Sequence, residues 1–483
     1  MEHQSLHKDI LSYVPAKLIP AISGMVSIFL LTKILKGEGY FNYSFLMALA
    51  VISFQVVNGW LNSSVIFLSQ NYQGIRYYFF RNSVFTIQLY LLPFVCLILG
   101  LSAYFGLREL LQAILICGIL MGQMWQAYFF SFLQVERKIK QQTKAVLIQS
   151  IAQLLLLCAC FYFKLGLSHT LSAILISYLF GNLYSFFFSG FKDHFVSKSI
   201  VTLNKRKLVI LKRLVSYGAF VCIWFFASQF YLVGDRLILK FLHIQDNVGG
   251  YTAFRDLMIG MSGLLTMPIL LASHPQIMKI WHERQDRKEI EEVLSSNIRL
   301  VTILFTPVLL ILFFSGEWLF HAVLGDEFVL PACTQTLIAG SIYLSAISMY
   351  VHKGFEVSGN TKKMALYAVG TAILSLICNY LLVPLYGIEA CAAIAVVSQL
   401  VYIGCCVIDK SNVFSIRIYL PFILFVLLFV IATVTIVAIA KNILGHVGNA
   451  AAFQLSLIVI AALIFILVAK DVRRFISAIG LLK

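Results

Sequence analysis

Charge is what this sequence has least of. Asp, Glu, Lys and Arg make up 12% of its 483 residues, about half the share of an ordinary soluble domain. Carboxylates are scarcer than cations, 21 against 37. Catalytic signatures are missing too: there is no phosphate-cradling G-x-x-x-x-G-K-[ST], no H-E-x-x-H, no C-x-x-C pair and no G-x-S-x-G. The segment starting at Gly37 begins like a dinucleotide loop but lacks its last glycine and a preceding strand. The ten cysteines show neither disulfide nor metal spacing. Cys158, Cys160, Cys222, Cys378, Cys405 and Cys406 lie inside apolar runs and read as small buried hydrophobes. The two longest hydrophilic stretches, about 191–213 and 275–298, are too short for a soluble catalytic domain. An enzyme, a cofactor and direct ATP hydrolysis are therefore not expected.

What is present is apolar: 60% of the residues are hydrophobic, with 40 Phe and 22 Tyr. A membrane span needs about 20 such residues. The runs place spans at about 10–32, 43–68, 83–105, 109–134, 144–163, 168–190, 214–234, 249–273, 299–315, 331–352, 364–384, 387–408, 418–440 and 453–470. That predicts an all-α polytopic membrane protein of about fourteen transmembrane helices, with the first run an uncleaved signal anchor. The net charge of +16 could suggest nucleic acid, but the cations sit in short loops. With the N-terminus inside, about 28 of the 37 Lys and Arg fall on the inner side and seven on the outer. Both termini are thus expected in the cytoplasm, and no nucleic-acid partner is expected. Glu283/Arg287 and Lys288/Glu292, at i,i+4 spacing, predict a helix running out of the membrane over 275–298.

The chain also repeats itself. KILKGEGYFNYSF (33–45) recurs loosely as KFLHIQDNVGGYTAF (240–254), and the stretch 162–184 recurs as 382–402. Each shift corresponds to six helices, so the repeat keeps its orientation and its axis runs along the membrane normal. The expected organisation is an N-terminal six-helix lobe over 1–200, a second over 201–410, and an additional helix pair over 411–483.

Ionisable groups at membrane depth are costly and invite a functional reading. Lys17 lies between Pro15 and Pro20, which are expected to break the first helix. Asp235 and Arg236 close the seventh helix, and Arg255 lies about 10 Å into the eighth. One reading is a cationic patch of Lys17, Arg236 and Arg255 for an anionic substrate, with Asp235 as ion partner or proton carrier. The other is snorkelling together with a structural Asp235–Arg255 pair. His274 and His352, at helix ends, read as satisfied interfacial histidines. Polar stripes add to this: Gln55, Asn58 and Asn62 share one face of the second helix, and Gln112, Gln123, Gln126 and Gln134 one face of the fourth. Gln142, Gln149 and Gln153 align on the fifth, and Ser341, Ser345, Ser348 and His352 form another stripe. Such amides suit sugar hydroxyls in a wet cavity, with Trp60, Trp125 and Trp224 able to stack on rings; they equally suit bonds between helices.

Three stretches carry a family resemblance. They are LLTKILKGEGYFNYSF after the first helix; GDRLILKFLHIQDNVGGYTAFRDLM before the eighth; and FHAVLGDEFVLPACTQTLIAG through EVSGNTKKMALYAVG to NYLLVPLYGIEACAAIAVVSQ. In these the chain resembles Wzx-type polysaccharide or O-antigen lipid flippases of the multidrug/oligosaccharidyl-lipid/polysaccharide exporter superfamily. It departs from their pattern at Phe41, where a glycine is usual. The resemblance implies a two-lobed, fourteen-helix, MATE-like exporter with alternating access in a bacterial inner membrane. Its substrate would be undecaprenyl-pyrophosphate-linked oligosaccharide, moved at the expense of a H+ or Na+ gradient. Membrane lipids and other polysaccharide assembly proteins would be its partners.

A drug/cation antiporter of the same superfamily would instead place carboxylates in its cavity. A membrane polymerase or glycosyltransferase would carry a large external loop, whereas the longest here is about 15 residues. A scaffold for a glycan assembly complex would tolerate loss of the buried charges. The combined variant Lys17→Ala and Arg255→Ala is expected to lose most transport; full activity would remove the cationic patch.

Overall fold

A computed structural model describes residues 2–69, 72–136, 138–188, 191, 204–415, 420–444 and 458–460, and through residue 17 only their backbone. All regular structure among them is helical. The elements are α1 (Glu2–Phe54), a π-helical segment (Gln55–Gly59), α2 (Trp60–Ser69), α3 (Ile75–Leu107), α4 (Leu110–Val135), α5 (Ile139–Tyr162) and α6 (Leu167–Phe188). Then come α7 (Lys205–Val233), α8 (Asp235–Phe241), α9 (Val248–Lys279), a second π segment (Ile280–Arg284) and α10 (Arg287–Leu324). α11 (Ala332–Val351), α12 (Lys353–Val357), α13 (Thr361–Ile408) and α14 (Leu420–Leu444) complete the order. Among the described residues nine helices are long and apolar enough to cross a membrane, or ten if α7, bent by 55°, is one span.

Two of the nine are too long to cross once. Leu18–Ile66 and Thr361–Ile408 hold 49 and 48 residues, about 70 Å of helix against a hydrocarbon core of about 30 Å. Each is broken where the backbone turns left-handed, at Lys36 (φ 56°) and at Gly387 (φ 57°). The first break falls between the spans expected at 10–32 and 43–68, and the second at the first residue of the span expected at 387–408. The span expected at 453–470 lies outside the described residues except for 458–460, as do residues 192–203 of the hydrophilic stretch.

Three local expectations are corrected. α1 stays helical through Pro15 and Pro20, as spanning helices can when neighbouring groups re-satisfy the freed carbonyl. Glu283 and Arg287 do not share a helix, because Gln285 is left-handed (φ 53°) and Asp286 caps α10, accepting from the amides of Lys288 and Glu289. α3 starts at Ile75 rather than 83, which brings Arg81 from an expected loop into a helix.

By mutual contact the chain forms two compact units. One comprises Leu11–Ala253 with Thr361–Tyr380; the other comprises Met1–Ile10, Phe254–Asn360 and Leu381–Lys483. Within the first, α6 packs on both α4 and α5, α3 on α4, and α2 on α7. Its two repeated motifs meet. A Cβ on Gly249 would strike the backbone of Gly37, and Lys240 Nζ donates to Asn42 Oδ1 at 2.7 Å. Burial pushes the Lys240 ammonium below its ordinary value, opposed by the charge of Glu38.

Gly249→Val is expected to destabilise the protein by about 2 kcal/mol through this overpacking, read as a lowered melting temperature in detergent. Gly263→Ala, with nothing within 4 Å of its added Cβ, should leave melting unchanged or raise it.

Candidate functional site

The amide stripes converge in the first unit. A cavity of about 340 Å³ is lined by Val51, Phe54 and Gln55 from α1 and its π segment, by Gln123, Gln126, Ala127 and Phe130 of α4, and by Tyr178 of α6. The π segment adds a residue to one turn of the helix, a distortion frequent at functional sites, and Gln55 is its first residue. Close approach of α6 to α4 is allowed by Gly122, whose added Cβ would come within 2.9 Å of Tyr178 Cβ. Asn182 Nδ2 fastens the pair by donating to Gly122 O at 2.9 Å.

The lining is prearranged. Gln123 Nε2 donates to Tyr178 Oη at 3.3 Å, and Gln126 Nε2 donates to Gln149 Oε1 of α5. Gln153 Nε2, one turn on, donates to Ser27 Oγ at 3.2 Å. Such fixed amides offer donors and acceptors to a hydroxylated ligand with few rotamers left to order. No carboxylate is among the lining residues.

On the other side of the same α4–α6 pair lies an apolar cleft of about 240 Å³, lined by Phe85, Trp125, Phe129, Leu179, Asn182, Leu183 and Phe186. Gln123 and Gln126 therefore face one chamber and Trp125 and Phe129 the other, about a third of a turn around α4.

Of the other expected site residues, Asn58 is fully buried. It donates to Met124 O at 3.3 Å and accepts from Gln88 Nε2 at 2.5 Å, so it bonds helices together. Asn62 is half-buried and does not line the cavity. Trp60 is buried in the core, its indole donating to Val56 O at 2.9 Å. The Lys17 side chain lies outside the described residues. Asp235 and Arg236 open the short α8 rather than closing the seventh span, and both are buried. Asp235 accepts the amide of Arg236 at 2.9 Å and the hydroxyl of Tyr251 at 2.5 Å. Arg255 is 1% exposed and belongs to the second unit.

Sequence reasoning missed two features. Tyr178 lies in an apolar run and carried no signal. The other is a buried charge cluster: the Arg81 guanidinium, 2% exposed, lies 3.7 Å from the carboxylate of Glu136, between the rings of Tyr78 and Phe191. Glu136 also takes Lys138 Nζ at 2.7 Å and the hydroxyl of Tyr77 at 3.0 Å. The clue was the single acidic residue near a run of cations at 136–144.

Residues 6–281 match the family described as polysaccharide biosynthesis protein. Among solved structures the chain is similar to lipid II flippase MurJ in an inward closed conformation, with a TM-score of 0.66 at 15% identity, covering 94% of this chain and 98% of that one. It is also similar to an inward-facing multidrug resistance MATE family transporter of the MOP superfamily, with a TM-score of 0.55 at 14% identity, covering 82% and 95%. At these identities the likeness establishes the fold. No curated protein matches the chain.

Glu136→Gln strands the Arg81 cation among aromatic rings and should cost about 3 kcal/mol. Pairing it with Arg81→Met should recover most of that loss, read by thermal melting of the two variants.

Proposed function

Because the chain belongs to the polysaccharide biosynthesis protein family, we propose that it is a flippase for undecaprenyl-pyrophosphate-linked oligosaccharide. It would carry an O-antigen or related surface-polysaccharide repeat unit across a bacterial inner membrane by alternating access. Both termini would lie in the cytoplasm, and a H+ or Na+ gradient would drive the cycle. The observation that carries this reading is the cavity of Gln55, Gln123, Gln126 and Tyr178. Sugars present dense hydroxyls, and neutral amides plus a phenol satisfy them without the desolvation cost of buried charge. A cation substrate would call for a carboxylate among the lining residues, which argues against the drug antiporter reading.

Two further supports are compositional. The intramembrane charges are mainly basic, as a diphosphate requires, with Arg236, Arg255 and Lys17 the candidate contacts. The apolar cleft lined by Phe85, Trp125, Phe129 and Phe186 offers a polyprenyl tail an apolar surface. Asp235 is the candidate partner for a coupling cation, its buried carboxylate accepting from the amide of Arg236 and the hydroxyl of Tyr251. The lobes at 1–200 and 201–410, with 411–483 outside them, would be the moving parts.

The test is a proteoliposome assay with a fluorescent lipid-linked oligosaccharide, leaflet exposure being read by a membrane-impermeant quencher. Gradient-dependent translocation is expected, and its absence under imposed H+ and Na+ gradients would sink the proposal. Gln123→Leu with Gln126→Leu removes two hydrogen bonds of about 1 kcal/mol each and should lower the rate at least tenfold. Wild-type rates in that double variant would take the glycan out of this cavity.

A further inference from the structure

The second unit contains a titratable cluster that the glycan cavity does not use. Lys353 is the first residue of α12, and its Nζ lies 3.3 Å from His274 Nδ1 of α9 and 2.5 Å from Glu356 Oε2 of the same short helix. His352, 4% exposed, faces Tyr402 of α13, with Nδ1 and Oη 3.3 Å apart. Among the described residues, the charged groups in electrostatic reach of either histidine are Lys353 and Glu356. Tyr402 and, beyond it, Cys406 are the titratable groups that α13 contributes.

The contacts define a protonation state. An ammonium has donors only, so Lys353 selects the His274 tautomer whose Nδ1 carries a lone pair. Lys353 and Glu356 cancel, and the cluster is neutral as long as both imidazoles are. One proton on His274 Nδ1 turns an acceptor into a cation facing a cation at 3.3 Å. Lys353 has little room to withdraw. Gly354 next to it is pressed against Asn412 Oδ1 and the amide of Val413, where an added Cβ could not fit. Asn412 itself is bonded to Val351 O and Cys406 O, both at 3.0 Å. α9 has the freer end: five residues beyond His274 it gives way to the π segment Ile280–Arg284 and the left-handed Gln285.

We propose that His274, held between Lys353 and the rest of this cluster, is a proton-binding site whose occupation releases the end of α9 from α12. The Lys353 ammonium at the centre repels a metal cation, which leaves the proton as the species that fits. Burial, followed by the charge of Lys353, holds the His274 imidazole below its ordinary value, so the site is empty at neutral pH and fills on acidification. If the exporter reading holds, this site is where a proton gradient enters the transport cycle, and it lies in a different unit from Asp235.

The test is backbone amide exchange on the protein in lipid nanodiscs, around pH 8 and around pH 4.5, the acid arm set well below the ordinary histidine range because this imidazole is held below it, corrected for intrinsic rates. Exchange over 274–284 and 352–357 should rise several-fold on acidification in the wild type and stay flat in His274→Gln. Lys353→Met, which removes the opposing cation, should also be flat, and serves if His274→Gln fails to fold. His352→Gln should keep the step. A wild type without the step, or His274→Gln responding like wild type, overturns the proposal. Proteoliposome translocation separates the two readings. Loss of acid-driven but not downhill translocation in His274→Gln supports the site; a wild type that shows the exchange step yet translocates nothing sinks the exporter instead.

Discussion

In a bilayer no water is available to a backbone N–H or C=O, and each group left unpaired costs several kcal/mol. Nearly every feature of this chain answers to that. Its breaks are brief: Lys36, Arg108, Lys164 and Gly387 each turn the chain with one left-handed residue, and the amide of Arg108 still reaches Tyr104 O at 2.6 Å. Hydroxyls inside the helices bond back to carbonyls of their own turn, as Ser27 does to Ser23 O, Ser64 to Trp60 O and Thr306 to Thr302 O. A serine in this setting is a satisfied group and says little about function.

The same constraint makes the amides at 55, 123, 126 and 178's hydroxyl informative. An amide has more donors and acceptors than a helix can satisfy, so it must find a neighbouring helix, a ligand or water. Asn58 finds helices, with Met124 and Gln88 both committed to it. Gln123 and Gln126 find Tyr178 and Gln149 and still line open space. Residues of one stripe thus divide into fastening and lining according to what the neighbouring helix presents. Charges follow a harsher version of the rule. Arg81 is tolerated because Glu136 and two rings surround it, and Lys353 because His274 and Glu356 do.

Much of this was legible from one sequence. Apolar runs of about twenty residues located the helices, since span length is imposed by the bilayer and not by neighbours. The loosely repeated motifs at 33–45 and 240–254 marked segments that pack on one another in the folded chain. Helix ends were less legible, because a polar side chain such as Arg81 can be drawn into a helix by a partner 55 residues away in sequence.

The sequence by itself determined that the chain is helical, membrane-embedded and of the polysaccharide biosynthesis protein family, because those properties depend on composition, run length and short motifs. Only the tertiary structure decided that Gln55, Gln123 and Gln126 share a cavity with Tyr178 while Asn58 does not, and that His274 meets Lys353. The helical repeat assigns residues to a face, but which face meets which helix depends on how small residues such as Gly122 let the helices approach. That is a property of pairs of helices, and no single stretch of sequence contains it.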